Sequence, residues 1–179
     1  MVYITLANGF EEIEALAFYD ILKRADIECS LVSINADNFV VGAHDIRVCT
    51  PLNIKDVDND NITAFVLPGG MPGTTNLKNN TDVTDILKHC YKNKILIGAI
   101  CAAPSILGYL GFLEGKKATC FPGFEKELTG ANISDEKVVK DGFIITAKGA
   151  GCAHDFAFEF VKTLKNGRLA DDIRKAMQY

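Results

Sequence analysis

Apolar positions along this chain fall into two patterns. Short, largely apolar runs occupy residues 2–7, 62–67 and 95–100, as expected for strands covered on both faces, and residues 28–33 read as a further strand. Longer segments place apolar residues at helical spacing. In residues 10–25 these are Ile13, Leu16, Ala17 and Ile21; in 82–91, Val83, Ile86 and Leu87; in 153–164, Phe156, Phe160, Val161 and Leu164. A helix is also expected from Pro104 through residue 110, with proline in its first turn, and a last one over 168–178. Residues 39–48 alternate loosely and suggest a hairpin. A second hairpin is expected where 137–140 and 143–146 flank Asp141-Gly142. Residues 118–121 read as a short strand, 122–128 as a turn and short helix, and 149–151 as a flexible turn. Strands that alternate with helices imply βαβ units and a mainly parallel sheet, an α/β fold. There is no internal repeat, linker or low-complexity tract, so residues 1–179 read as one domain.

Composition narrows the function classes. Hydrophobic residues make up 48% of the chain, enough for a sizeable core, and the net charge of -4 argues against a nucleic-acid surface. No apolar run approaches the ~20 residues of a membrane span. The amino-terminal run is too short for a signal peptide, so a soluble cytoplasmic protein is expected. Six cysteines are widely spaced without a Cys-x-x-Cys pair, and read as free thiols. The three histidines, His44, His89 and His154, show no metal-ligand spacing. No metal or cofactor is expected; His44 reads as a surface residue and His89 as a helix-end residue.

Three features carry candidate chemistry. Cys101 follows the strand over 95–100 and precedes the helix at Pro104. A thiol at a helix N-terminus is expected to have a lowered pKa, and ligands of open α/β sheets bind at strand C-termini. The alternative is a small buried hydrophobe. Glu11, Glu12 and Glu14 open the first helix, where acidic residues favour the dipole; taken singly, each reads as a solvated carboxylate. The loop Pro68-Gly69-Gly70-Met71-Pro72-Gly73 can bring backbone N–H groups close to a ligand, or can simply be a tight connection. It lacks the Gly-Lys-Ser/Thr of a P-loop. In a parallel sheet, the strands ending at Ala7, Leu67 and Ile100 gather a carboxylate, backbone donors and a thiol at one edge.

At these residues the chain resembles the DJ-one branch of the ThiJ/PfpI superfamily. The stretches are Asn8-Gly-Phe-Glu-Glu-Ile-Glu14, Val66-Leu-Pro-Gly-Gly70, Ala99-Ile-Cys-Ala-Ala-Pro104 and Lys148-Gly-Ala-Gly151. The resemblance implies a flavodoxin-like three-layer sandwich of the class I glutamine-amidotransferase type, a nucleophile-elbow cysteine held under strain, and a homodimer. It implies Cys101 as nucleophile and oxidation-sensitive thiol, and Glu14 as the acid that hydrogen-bonds its sulfur. It also implies Gly70 and Ala102 as the backbone donors of an anion pocket. A buried Glu14 beside a thiolate is expected to have a raised pKa. Protease-like members carry His directly after the cysteine, where this chain has Ala102, so peptidase activity is not expected. Some members carry His where this chain has Phe121, which leaves Glu14 as the principal base.

The activity implied is that of a glutathione-independent glyoxalase or deglycase. It would take methylglyoxal, glyoxal or early glycation adducts, including glycated proteins, without a cofactor. The alternatives are an oxidative-stress sensor or redox-regulated chaperone for unfolded proteins acting through Cys101, and the thiamine (thiazole monophosphate) biosynthesis label attached to some ThiJ sequences. No phosphate-binding signature supports the last. Cys49 is placed near a dimer interface by the resemblance, but reads more simply as a buried strand residue.

Overall fold

A computed structural model describes residues 1–179. In chain order its elements are β1 (Val2–Leu6), α1 (Glu12–Arg24), β2 (Cys29–Ser33), β3 (Phe39–Val41), β4 (Arg47–Cys49), β5 (Leu52–Asn53), β6 (Ala64–Leu67), α2 (Gly73–Asn79), α3 (Thr81–Lys92), β7 (Leu96–Ile100), α4 (Pro104–Tyr109), β8 (Lys117–Ala118), β9 (Asn132–Ile133), β10 (Val138–Asp141), β11 (Ile144–Ala147), α5 (Ala153–Leu164) and α6 (Gly167–Ala176).

The four strands expected over 2–7, 28–33, 62–67 and 95–100 form the middle of a seven-stranded sheet, ordered β10-β11-β7-β6-β1-β2-β5. Every neighbouring pair is parallel except the hairpin β10–β11. The segment β2-β1-β6-β7-β11 has the flavodoxin-like order, and the winding reverses between β1 and β6. The C-terminal edge of the sheet at that reversal is where α1, the Gly-rich loop and the β7 elbow converge.

Side chains of the strands alternate between two cores. Val2, Ile4 and Leu6 pack with Phe18 of α1 and Phe156 and Phe160 of α5. Tyr3, Phe65 and Ile97 pack on the other face with Leu87 of α3 and Ile106 of α4. Phe18 meets Phe156 and Phe160 with ring centroids 5.2 and 4.9 Å apart. Each such buried ring contributes roughly 1.5–3 kcal/mol. Together they fix α1, and with it Glu14, against the sheet.

Four local expectations are corrected. The buried face of α1 is Glu12, Glu14, Ala15, Phe18, Ile21 and Leu22; of the expected stripe Ile21 is buried and Leu16 and Ala17 pack partly buried against the core, but Ile13 is 52% exposed. The helix turns two carboxylates inward because its first turn abuts a polar crevice rather than solvent. The strand expected at 118–121 shortens to β8, which pairs with β9. Cys120 and Phe121 leave it because the Phe121 N–H donates to the Cys101 carbonyl at 2.8 Å. Residues 149–151 begin a single 3-10 turn, Ala150–Cys152. Cys49 is exposed on β4, against its reading as a buried strand residue. α2, β5 and β9 went unanticipated: α2 holds one large apolar residue, Leu77, and β5 and β9 are two residues each.

Candidate active site

β7 delivers Cys101 to the C-terminal edge of the sheet, where its backbone takes φ 64°. That is the left-handed region, which costs a residue with a Cβ roughly 1–2 kcal/mol. Three hydrogen bonds hold the turn. The Cys101 N–H donates to Ala147 at 2.9 Å, extending the β7–β11 ladder; the Cys101 carbonyl accepts from Phe121; and the Ala103 N–H donates to Ile100 at 3.0 Å. The Ser105 hydroxyl donates to the Ala102 carbonyl at 2.7 Å. The elbow is therefore strained and over-determined, as the sequence resemblance implied.

The ionisation expected for Cys101 is overturned. α4 begins at Pro104 and runs six residues, so the cysteine precedes a short helix instead of capping it. Burial pushes the thiol up to about 12, and the charge and hydrogen bonding of Glu14 push the same way. The N–H groups of Gly70 and Ala102 favour the thiolate but do not outweigh these effects.

Glu14 lies in the first turn of α1 and is 1% exposed. Its Oε2 accepts the Gly69 N–H at 2.7 Å, and its Oε1 is buried without a hydrogen bond of good geometry. The side chain with which Glu14 interacts is the Cys101 thiol. Burial raises the Glu14 carboxyl to about 7; the Gly69 N–H and the thiol oppose this, and the charge of Glu11 adds to it. The expected direction of the Glu14 shift is borne out, and its cause is first of all desolvation. Above that pH the two groups hold one proton between a carboxylate and a sulfur.

Gly69 and Gly70 make the approach possible. At Gly70, φ is 87° and a Cβ would run into the Glu11 backbone nitrogen. The loop is tied down by the Glu11 N–H to Gly69 at 3.0 Å and the Thr74 N–H to Gly70 at 2.9 Å.

Glu12 and Glu14 are both buried, against their reading as solvated carboxylates. Glu12 Oε1 accepts the His44 backbone N–H at 2.8 Å, and its Oε2 lies 2.9 Å from His44 Nδ1. Burial drives the Glu12 carboxyl up, but the ring and backbone of His44 outweigh it and the net direction is down. The pairing raises His44 in turn. Glu11 Oε1 stands 3.9 Å from the same ring nitrogen. Glu11, Glu12 and His44 are close enough to share a cation, but both Glu12 oxygens are already paired with His44, which accounts for the cluster. The sequence hides this pair: the residues are 32 positions apart, and His44 is exposed as expected.

The other histidines lie elsewhere. His89 sits at the end of α3 beside Asn93, and His154 stacks on Tyr179 with centroids 4.9 Å apart. Neither contributes to the ionisation of Cys101. The largest cavity, about 520 Å³, is lined by Lys78, Asn80, Lys88 and Tyr109 among others, and includes none of the residues at the elbow. Cys101 is partly exposed at the C-terminal edge of the sheet. No helix of the chain is long and apolar enough to cross a membrane.

Known proteins are similar to this chain. The chain is 31% identical to Protein dj-1beta of Drosophila melanogaster over 97% of its own length and 94% of the relative's. It is 31% identical to a Caenorhabditis elegans protein named glutathione-independent glyoxalase DJR-1.2, covering 93% and 89% of the two chains. It spans less than half the length of two Arabidopsis thaliana relatives, DJ-1 homologs A and B. A structure of Toxoplasma gondii DJ-1, described as oxidized, superposes with a TM-score of 0.95 at 30% identity, over 99% and 97% of the chains. With residues 1–163 also matching the family profile, the elbow, the Gly-Gly loop and the buried carboxylate sit in a chain that belongs to the DJ-1/PfpI family.

Proposed function

We propose that this chain is a cofactor-independent enzyme that converts small 2-oxoaldehydes to hydroxy acids, with Cys101 as nucleophile and Glu14 as acid–base. The observation that carries the reading is the pairing of the Cys101 thiol with a buried carboxyl whose pKa is about 7. A base poised near neutral pH is suited to proton transfer. The glyoxalase name of the Caenorhabditis elegans relative supports the same choice.

The reaction balances as follows for methylglyoxal. Glu14 takes the thiol proton and sulfur attacks the aldehyde carbon, forming a C–S bond while the carbonyl π pair moves to oxygen. The N–H groups of Gly70 and Ala102 are the donors proposed to hold that oxyanion. The oxygen takes a proton from Glu14 and a hemithioacetal results. The carboxylate then removes the hydrogen of that carbon and returns a proton to the neighbouring ketone carbon, while the hemithioacetal hydroxyl proton passes to the former ketone oxygen through an enediol. The first carbon is oxidised and the second reduced, leaving a thioester. Water cleaves the C–S bond, the thiol regains its proton, and lactate leaves. Glyoxal gives glycolate by the same steps, and early glycation adducts would enter at the same thiol.

The test is lactate formation from methylglyoxal without glutathione, comparing wild type with Cys101→Ala and Glu14→Gln. Turnover is expected in wild type and in neither variant. Turnover retained by a clean Cys101→Ala preparation rejects the mechanism.

Oxidation sensing is a second reading, favoured by a partly exposed thiol beside a buried carboxyl whose Oε1 has no hydrogen-bond partner. A protonated Glu14 can donate to a sulfinate oxygen. Peroxide titration followed by intact-mass and peptide mapping tests it: Cys101 must gain oxygen before exposed Cys49.

A further inference from the structure

We infer that Phe121 is the specificity-determining residue of this site, and that with Gly149 it makes the crevice prefer 2-oxoaldehydes bearing an aromatic or bulky apolar substituent over glyoxal. The inference rests on the glyoxalase reading and names its substrate class. Phe121 is 47% exposed, in a chain that buries Phe10, Phe18, Phe65, Phe156, Phe158 and Phe160 completely or nearly so. Its place is fixed by the elbow itself, because its N–H donates to the Cys101 carbonyl at 2.8 Å.

The ring stands beside the nucleophile. A Cβ built on Gly149 would lie 3.1 Å from Phe121 Cδ2, 3.7 Å from its Cε2 and 3.8 Å from Cys101 Sγ. Ring and sulfur thus flank one space, and that space is open because residue 149 has no side chain. The Gly149 backbone has φ 161°, which any residue adopts, so its glycine serves access and not conformation.

The two sides of the crevice ask for different chemistry. Glu14 and the N–H groups of Gly70 and Ala102 offer polar contacts near the sulfur. The Phe121 ring offers no hydrogen bond and can neither titrate nor bind hydroxyls. A phenyl substituent on the attacked dicarbonyl gains apolar contact and ring packing there. A methyl group gains less, and glyoxal has no substituent to place.

The experiment compares kcat/KM for phenylglyoxal, methylglyoxal and glyoxal in wild type, Phe121→Leu and Phe121→Ala. Wild type is expected to rank them in that order. In Phe121→Ala the phenylglyoxal-to-glyoxal ratio should fall about tenfold, mainly through KM, with Phe121→Leu between the two. An unchanged ratio in Phe121→Ala overturns the inference. A second readout needs no turnover: the rate at which Cys101 is alkylated by N-phenylmaleimide relative to N-ethylmaleimide, in a Cys49→Ser background with adducts mapped to Cys101. That ratio should also fall in Phe121→Ala. If no dicarbonyl is turned over, the glyoxalase reading fails; the maleimide ratio then decides the role of Phe121, and an unchanged ratio rejects it.

Discussion

Glu14 and Cys101 meet across Gly69: a Cβ there would sit 2.6 Å from the Cys101 Cβ and 2.9 Å from Glu14 Oε2. The Gly69 N–H is also the donor that holds Glu14 Oε2. One residue without a side chain therefore lets the acid approach the thiol and anchors the acid in place. The proximity ties their ionisation together: the Glu14 carboxylate holds the thiol protonated, and the protonated thiol favours the carboxylate.

Removing the charge of Glu14 while keeping its shape should separate reactivity from catalysis. In Glu14→Gln the thiolate no longer faces a carboxylate, so the Cys101 pKa should fall below about 12, with burial still holding it up. Iodoacetamide should label Cys101 faster than in wild type at pH 8. Turnover of methylglyoxal should nonetheless vanish, because the amide cannot move a proton between carbons. Slower labelling in the variant would contradict the charge coupling.

The same substitution should change the pH dependence of stability. Glu14 has a folded pKa of about 7 against an ordinary value of 4.5. Below 4.5 both states are protonated and no penalty exists. Between 4.5 and 7 the unfolded chain ionises first, so stability is lost as pH rises, and above 7 the loss is complete. The loss is on the order of 3 kcal/mol. Urea unfolding should show Glu14→Gln gaining on wild type by about 3 kcal/mol between pH 4.5 and pH 8. A gain that is the same at both pH values would mean that Glu14 titrates normally.

Much of this architecture is legible before any coordinates. The buried strands announce themselves because parallel strands covered on both faces need continuous apolar runs, and Cys101 is placed by the run that precedes it and the proline that follows. The α1 stripe is misread because apolar spacing cannot register a polar crevice: Glu14 is buried by its contact with the Gly69 loop, 55 positions away. The direction of the Cys101 shift is hidden for a related reason. Local sequence shows a helix start, while the desolvation and the carboxylate that decide it come from the tertiary fold. Residues 73–79 form a helix with little apolar periodicity, so no pattern marks it.

His44 should act as a pH-dependent clamp of the β3–β4 hairpin on α1. Its raised pKa contributes stability that is fully present below its ordinary value of 6.5 and lost as pH climbs through the raised one. Glu12, net lowered, contributes above 4.5 and loses that contribution as pH falls through its lowered value. The window is therefore bounded by the lowered Glu12 and the raised His44. His44→Ala should lower Tm most near pH 5.5 and least near pH 9. Equal losses at both would leave only the backbone N–H bond to Glu12 as the clamp.

Strain at the elbow predicts a stability order opposite to the usual one. Replacing alanine by glycine ordinarily costs roughly 0.5–1 kcal/mol through chain entropy. At position 101 the backbone is held at φ 64°, where a Cβ is itself unfavourable. Comparing Cys101→Ala with Cys101→Gly removes the thiol from both and isolates the Cβ. The glycine variant should be the more stable by about 1 kcal/mol in urea unfolding. Ala103, buried with a right-handed helical backbone two residues on, supplies the contrast: Ala103→Gly should destabilise. If Cys101→Gly is the weaker of the pair, the elbow carries no strain, and its geometry rests on the Ala147 and Phe121 hydrogen bonds alone. If it is the stronger, the left-handed turn is held against its own backbone preference by the surrounding fold, leaving the Cys101 thiol partly exposed near the Gly70 and Ala102 N–H groups.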